Sequence, residues 1–214
     1  MSSKVFELKE QFLREFIVEV PFCGWNEKAF DVVENKLGLQ KHYNIMLFPG
    51  GIKEVITLFE EQLNSSMKIQ CGNLFKDKKI RVRDKIKQAV MWRLIGSKVN
   101  KVALASLVKF YYNPMNYNLA LKNLWKTVDE IWYLAGDEST DFNYYTKRFL
   151  LFSIYKATML YYISDDSSDS KATEAFLERR IENVMKINKV KSVLPNSLEK
   201  IKSKIPFLRL MNRK

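Results

Sequence analysis

The sequence predicts an all-α protein, on three observations. Apolar residues recur at three- and four-residue spacing along most of the chain, no segment shows the strict alternation of a half-buried strand, and turn-forming residues punctuate the periodic stretches. A first helix is expected through Phe12, Phe16 and Val20, ending at Pro21 and Gly24. Gly24-Trp25 opens a second, which stops at Leu37-Gly38-Leu39, and a short helix over Gln40 to Met46 follows. Leu47-Phe48-Pro49-Gly50-Gly51 then leads into a helix carrying Ile52, Val55, Ile56 and Phe59, with a break expected at Gly72-Asn73. Ile86, Val90 and Leu94 mark the next helix, stopped at Gly96-Ser97. After Asn113-Pro114 comes the stripe Leu121, Leu124, Val128, Ile131 and Trp132, closed by Gly136. Tyr144 to Ile163 is apolar or aromatic on most sides, as a central helix would be, and the polar cluster Asp165 to Asp169 ends it. Eight or nine helices joined by short loops result.

Composition fits a folded chain. Of 214 residues 47% are hydrophobic and 28% charged, with only 7 Gly and 5 Pro, which excludes a disordered or collagenous protein. Three parts are expected within one continuous helical body: residues 1–66 with helix-turn-helix-like order, 67–194 as the main helical part, and 195–214 as a basic tail. The longest apolar stretch, Phe149 to Ile163, is interrupted by Lys156 and falls short of the roughly 20 residues that span a bilayer. Glu7, Glu10 and Glu15 near the N-terminus fit neither a signal peptide nor an acid-poor transit peptide, so a cytoplasmic protein is expected.

The net charge is +12, from 36 Lys and Arg against 24 Asp and Glu. It is not uniform: residues 1–50 carry −1, 51–110 carry +8, 111–170 carry −3 and 171–214 carry +8. Such blocks mark sites of interaction with an anionic partner. The sequence also excludes much chemistry. His42 is the only histidine, which removes a di-iron site built from paired Glu-x-x-His motifs. Cys23 and Cys71 have no metal-ligand or disulfide spacing, there is no phosphate-binding glycine loop, and no nucleophile sits beside His42. Neither a metal nor a cofactor is expected, and the chain reads as a non-enzyme.

The order of the first 65 residues is similar to the N-terminal helix-turn-helix of TetR-type regulators, in which a short recognition helix enters the major groove. Here that stretch has Lys41 as its only fixed positive charge within a segment of net −1. Phosphate contacts dominate DNA affinity, so no nucleic acid is expected as a partner; a TetR-type DNA-binding transcriptional regulator is the second reading.

The most distinctive text is Ala135-Gly136-Asp137-Glu138-Ser139-Thr140-Asp141-Phe142-Asn143-Tyr144-Tyr145-Thr146-Lys147-Arg148. Physically, Gly136 ends one helix and Ser139, Thr140 or Asp141 caps the next. Asp137 and Asp141 then sit at a positive helix end as structural carboxylates rather than a catalytic pair. This core resembles that of the Coq-nine family, lipid-binding accessory proteins of ubiquinone (coenzyme Q) biosynthesis. The likeness extends to Gly24-Trp25, to Leu47 through Gly51, to Val82 through Ile86 and to the Glu-Asn-Val-Met after Ile181.

The resemblance implies a TetR-like helical domain, a homodimer formed by residues 67–194, and an isoprenoid lipid or ubiquinone precursor held in an apolar cavity there. It also implies a C-terminal amphipathic membrane helix and a peripheral place on an inner membrane, on the matrix side in a mitochondrion. Candidate lipid contacts are Tyr145, Phe149, Phe152, Tyr155, Met159 and Tyr162, although aromatic and Met side chains at helical spacing serve a solid core equally well. By motif position the contacts with a quinone hydroxylase, of the di-iron Coq-seven type, are Ile131, Tyr144, Tyr145 and Arg148, with Tyr144 standing where many relatives carry Trp.

In the tail Leu198, Ile201, Ile205 and Leu208 form one stripe with Phe207 beside it, and Lys200 and Lys204 lie among the basic residues on the other side. Such a helix docks on an anionic membrane surface, with each basic residue near it contributing about 1 kcal/mol. Pro206 kinks it.

Overall fold

Among the described residues the periodic apolar stripes pack against one another as nine α-helices, and no strand occurs. The structure is a computed structural model and describes residues 3–77, 79–96, 101–140 and 142–193. The helices are α1 (Ser3–Cys23), α2 (Lys28–Lys36), α3 (Tyr43–Leu47), α4 (Ile52–Leu74), α5 (Val82–Met91), α6 (Lys101–Tyr112), α7 (Tyr117–Leu134), α8 (Phe142–Ile163) and α9 (Lys171–Val193). A single π-helical turn, Trp92–Gly96, continues α5. The basic tail lies outside the described residues, and with it Leu198, Lys200, Ile201, Lys204, Ile205, Phe207 and Leu208.

The N-terminal three helices close over an aromatic cluster. Phe12 and Phe16 of α1 meet Phe30 of α2 at 5.9 and 5.3 Å, and Phe12 meets Phe48 at 5.3 Å. Trp25 joins this cluster to the rest of the molecule: its ring lies 5.1 Å from Phe59 of α4, and its indole N–H donates to the Ala103 carbonyl of α6 at 3.1 Å. The expected short third helix is present but displaced, starting at Tyr43 rather than Gln40. His42, in the left-handed conformation with φ 67°, sets that start. The buried carboxylate of Glu34 accepts from the backbone N–H of His42 at 3.0 Å and of Asn44 at 2.7 Å, doing for this helix what a capping side chain does.

Two breaks differ from expectation. Pro21 lies inside α1, which runs on to Cys23 and stops at Gly24, where φ is +72°. A proline one turn from a helix end removes a single hydrogen bond, and the burial of Phe16 and Val20 on the inner face outweighs that loss. Gly72 lies within α4, which ends only after Leu74, because Met67, Cys71 and Phe75 continue the buried stripe across it. Since α4 also runs unbroken across residue 66, the helix-turn-helix-like part and the main body share one helix.

In the body, α4 packs on α7, α7 on α8 and α8 on α9. The cluster after Ile163 turns the chain: Asp165 accepts from the Ser167 and Thr173 backbone N–H groups, both at 2.8 Å, capping α9, and the Ser167 and Thr173 hydroxyls, together with these N–H groups, hold its carboxyl well below the usual range. Phe176 of α9 stacks on Tyr161 of α8 at 4.4 Å.

Candidate functional site

Between α6, α7 and α8 the core leaves a cavity of about 200 Å³ that opens to the surface. Its walls are Leu107 of α6, Leu121 and Leu124 of α7, and Phe152, Met159 and Leu160 of α8, with Ala120 contributing almost no side chain. Exposed Tyr112, Tyr117 and Lys156 stand at the opening.

The inner end is different in kind. Arg93, delivered by the π-helical turn, is 2% exposed; it pairs with Glu60 and donates to Asn64 Oδ1 at 2.7 Å. Glu60 also accepts from the Tyr111 hydroxyl at 3.1 Å, and that hydroxyl accepts from the Asn123 amide at 3.0 Å. Thr127 donates to Asn64 at 3.1 Å. Among the described partners the cation is thus answered by the Glu60 carboxylate and by neutral groups drawn from α4, α6 and α7. A π-turn is a frequent mark of a functional position, since the extra residue costs helix stability. Burial, with the Glu60 carboxylate adding to it, pushes the Tyr111 phenol far above its usual range.

The distinctive text forms the corner between α7 and α8. Gly136, with φ +88°, is the residue after the α7 cap; its N–H donates to Tyr133 O and that of Asp137 to Trp132 O, both at 3.0 Å, which closes the helix end. Asp137 then accepts from side chains: Ser139 at 2.8 Å, Lys147 at 2.7 Å and Arg148 at 3.0 Å. Asp137 is thus held by side chains of α8 that reach back to it, and Asp141 lies outside the described residues. Arg148 also donates to Asp129 at 2.5 Å and lies over the Tyr144 ring at 3.3 Å, while the Tyr144 hydroxyl donates to Asp129 at 3.0 Å. Burial would raise the Asp137 carboxyl, but the bonds from Lys147, Ser139 and Arg148 outweigh it and hold the group at about 2.

Of the expected lipid contacts, Phe152, Tyr155 and Met159 line the cavity. Tyr145 and Phe149 stand 61% and 64% exposed on another side of α8, and Tyr162 is buried without reaching the cavity. Of the expected partner contacts, Tyr145 is exposed and Tyr144 half-buried, whereas Ile131 and Arg148 are both buried. Glu60, Arg93 and Tyr111 were not singled out in the sequence. A pair 33 residues apart on separate helices leaves no local pattern, and the one available signal was a charged residue, Arg93, one position before the periodic Leu94. Among the described residues no cluster of His, Cys, Asp and Glu is placed to hold a metal ion, and no helix is long and apolar enough to cross a membrane.

Helix order and packing define a TetR-like helical domain. A solved TetR transcriptional regulator from Nitrosomonas europaea superimposes with a TM-score of 0.66 over 82% of this chain and 97% of its own, at 17% identity, a likeness of fold. Within that fold class the COQ9 family model matches residues 117–188, which contain the α7–α8 corner and most of the cavity wall. The human ubiquinone biosynthesis protein COQ9, mitochondrial, is 31% identical over 189 residues, covering 84% of this chain and 58% of its own length. A Dictyostelium discoideum protein named as probable ubiquinone biosynthesis protein coq9, mitochondrial, is 27% identical over 87% of this chain and 62% of its own. The Schizosaccharomyces pombe coq9 protein is 28% identical over 89% and 75%. The chain is a COQ9 relative, and it spans about three fifths of the human and Dictyostelium proteins.

The corner makes a pH-dependent prediction. Since the folded Asp137 carboxyl sits at about 2, below its ordinary 3.8, its stabilisation is complete above about pH 4 and is lost as the pH falls toward 2. Asp137→Asn should lower the urea-unfolding free energy at pH 7 by about 2 kcal/mol and flatten the loss of stability between pH 4 and 2. Unchanged stability at pH 7 would show that Asp129 alone suffices to hold Arg148.

Proposed function

We propose that the chain is a non-catalytic lipid-binding protein of ubiquinone biosynthesis that docks on a membrane and presents a polyprenyl quinone precursor to a hydroxylase. The observation that carries this reading is the cavity between α6, α7 and α8, apolar along its walls, open at an aromatic rim and closed at a charge-balanced inner end. It lies largely within the segment that matches the COQ9 family, whose relatives are named for ubiquinone biosynthesis and as mitochondrial. Membrane attachment is assigned to the basic tail, on an inner membrane and on its matrix side where the organism has mitochondria. The exposed aromatic face of Tyr133, Tyr145 and Phe149, steadied from below by Arg148 and Ile131, is assigned to the hydroxylase, of the di-iron Coq-seven type, and the protein is assigned a homodimeric state. No DNA-binding role is favoured: α3 exposes Ile45 and Met46 where phosphate-binding side chains would be needed.

Lipid should be recovered by mass spectrometry after solvent extraction of the purified protein, with isoprenoid or phospholipid species at near-stoichiometric yield. Ala120→Trp, which fills the cavity from α7, should remove most of it while circular dichroism stays helical; a variant that keeps its full lipid complement would move the site elsewhere. Deleting residues 197–214 should abolish flotation with anionic vesicles. Undiminished flotation would transfer the membrane site to the basic segment Lys76 to Lys87.

A further inference from the structure

The chain between α6 and α7 makes a short 3-10 turn, Pro114–Asn116, and this turn is held by its own polar groups. The Asn113 side chain accepts from the Met115 backbone N–H at 3.0 Å, and the buried Asn116 amide donates to the Phe110 carbonyl at 3.0 Å. The large side chains of the turn are left in water. Tyr112, Met115 and Tyr117 are 70%, 80% and 57% exposed. Bulky apolar groups gathered in this way on a surface mark a site of contact. Tyr112 and Tyr117 also border the opening of the cavity, so the patch and the opening are continuous.

Charge says what covers the patch. Residues 85–128 include no Asp or Glu, and α8 has none along its whole length, so α6, the turn, the first part of α7 and α8 carry only positive charges. Lys53 of α4 donates to the Met115 carbonyl at 3.5 Å, Lys109 lies one turn before Tyr112 on α6, and Lys156 stands at the opening. All three are exposed, and among the described residues none is paired with a carboxylate. Lys68 and Lys126, further along α4 and α7, are by contrast paired with Glu130 and Glu61. An apolar centre bordered by unanswered cations matches a layered partner, with anionic phosphates outside and hydrocarbon within. Tyr is favoured at that depth, because its ring is apolar and its hydroxyl stays wet.

We propose that this turn is a second membrane contact, separate from the basic tail: Tyr112, Met115 and Tyr117 enter the headgroup layer of an anionic bilayer while Lys53, Lys109 and Lys156 meet its phosphates. The cavity then opens directly onto lipid. So small a patch gives only marginal, reversible attachment by itself. The tail holds the chain to the surface, and the turn decides which face meets it. The contact rests on the membrane-docking reading and adds an orientation to it.

The test uses the full chain with Cys23→Ser, in which Cys71 stays buried, and a polarity-sensitive fluorophore attached at Met115→Cys or, for comparison, at Ile45→Cys on α3. On vesicles of phosphatidylcholine and phosphatidylglycerol the label at 115 should shift to the blue and be quenched by lipid spin-labelled near the headgroup, while the label at 45 stays in water. Lys53→Gln and Lys109→Gln should each weaken partition into these vesicles by about fivefold, the effect of one basic residue near an anionic surface. Partition into phosphatidylcholine alone should not change. A label at 115 that stays in water while the chain floats with the vesicles would overturn the contact and leave attachment to the tail. An equal shift at 45, unaltered partition in both lysine variants, or burial of the label at high protein concentration without vesicles would overturn it too, the last assigning the patch to a second copy of the chain. Absence of flotation altogether would overturn membrane docking as well.

Discussion

A guanidinium cannot be left alone in a helical core. Arg93 is the largest fully buried side chain among the described residues, and its charge must be answered in place by groups that cannot move away. Glu60 and Asn64, one turn apart on α4, supply the answer; the Tyr111 hydroxyl donates in turn to Glu60 and that of Thr127 to Asn64, while the Asn123 amide donates to Tyr111. Four separate elements are thereby fixed at one distance from each other. A polar anchor of this kind holds helices apart where interdigitating apolar side chains would draw them together, and the cavity lies directly beside it. The same arrangement gives the apolar space a polar end of no net charge, so the constraint on the fold and the chemistry of the cavity have one origin.

The second fixed point is the corner after α7. Gly136 supplies the positive φ that turns the chain, and Asp137 is then clamped by Ser139, Lys147 and Arg148. Arg148 is shared with Asp129 and covered by Tyr144, so the angle between α7 and α8 is set by side chains whose partners lie 11 and 19 residues away. The clamp holds the two helices that form most of the cavity wall, and Tyr145 and Phe149, one turn apart on α8, stand exposed on the outside. Text and geometry agree here because Asp137, Ser139, Tyr144, Lys147 and Arg148 of the motif bond one another or Asp129.

The helices themselves were legible because an inward stripe repeats every 3.6 residues, as at Phe12, Phe16 and Val20. Their ends were legible where a glycine adopts a positive φ, as at Gly24 and Gly136. Pro21 and Gly72 were misread because each is a breaker only on average, and each here lies near the end of a helix whose buried face continues past it. The cavity was only half legible. On α8 an apolar residue reads the same whether it faces the core, the cavity or the solvent, so Phe152 and Met159 could not be told from Phe149. The Arg93–Glu60 pair was invisible because its meaning depends on three-dimensional proximity, and the partners of Asp137 were not legible because its donors come from two turns into the next helix.

The central claim, that this cavity holds lipid, is tested most directly by photo-crosslinking. A prenyl quinone carrying a diazirine on the ring would be bound, irradiated and located by peptide mapping. The account predicts label on Tyr155 and its neighbours on α8, with Leu124 or Thr127 of α7 opposite, abolished by excess unlabelled quinone. Label confined to the outer face at Tyr145 and Phe149, or spread over α1 to α3, would contradict it.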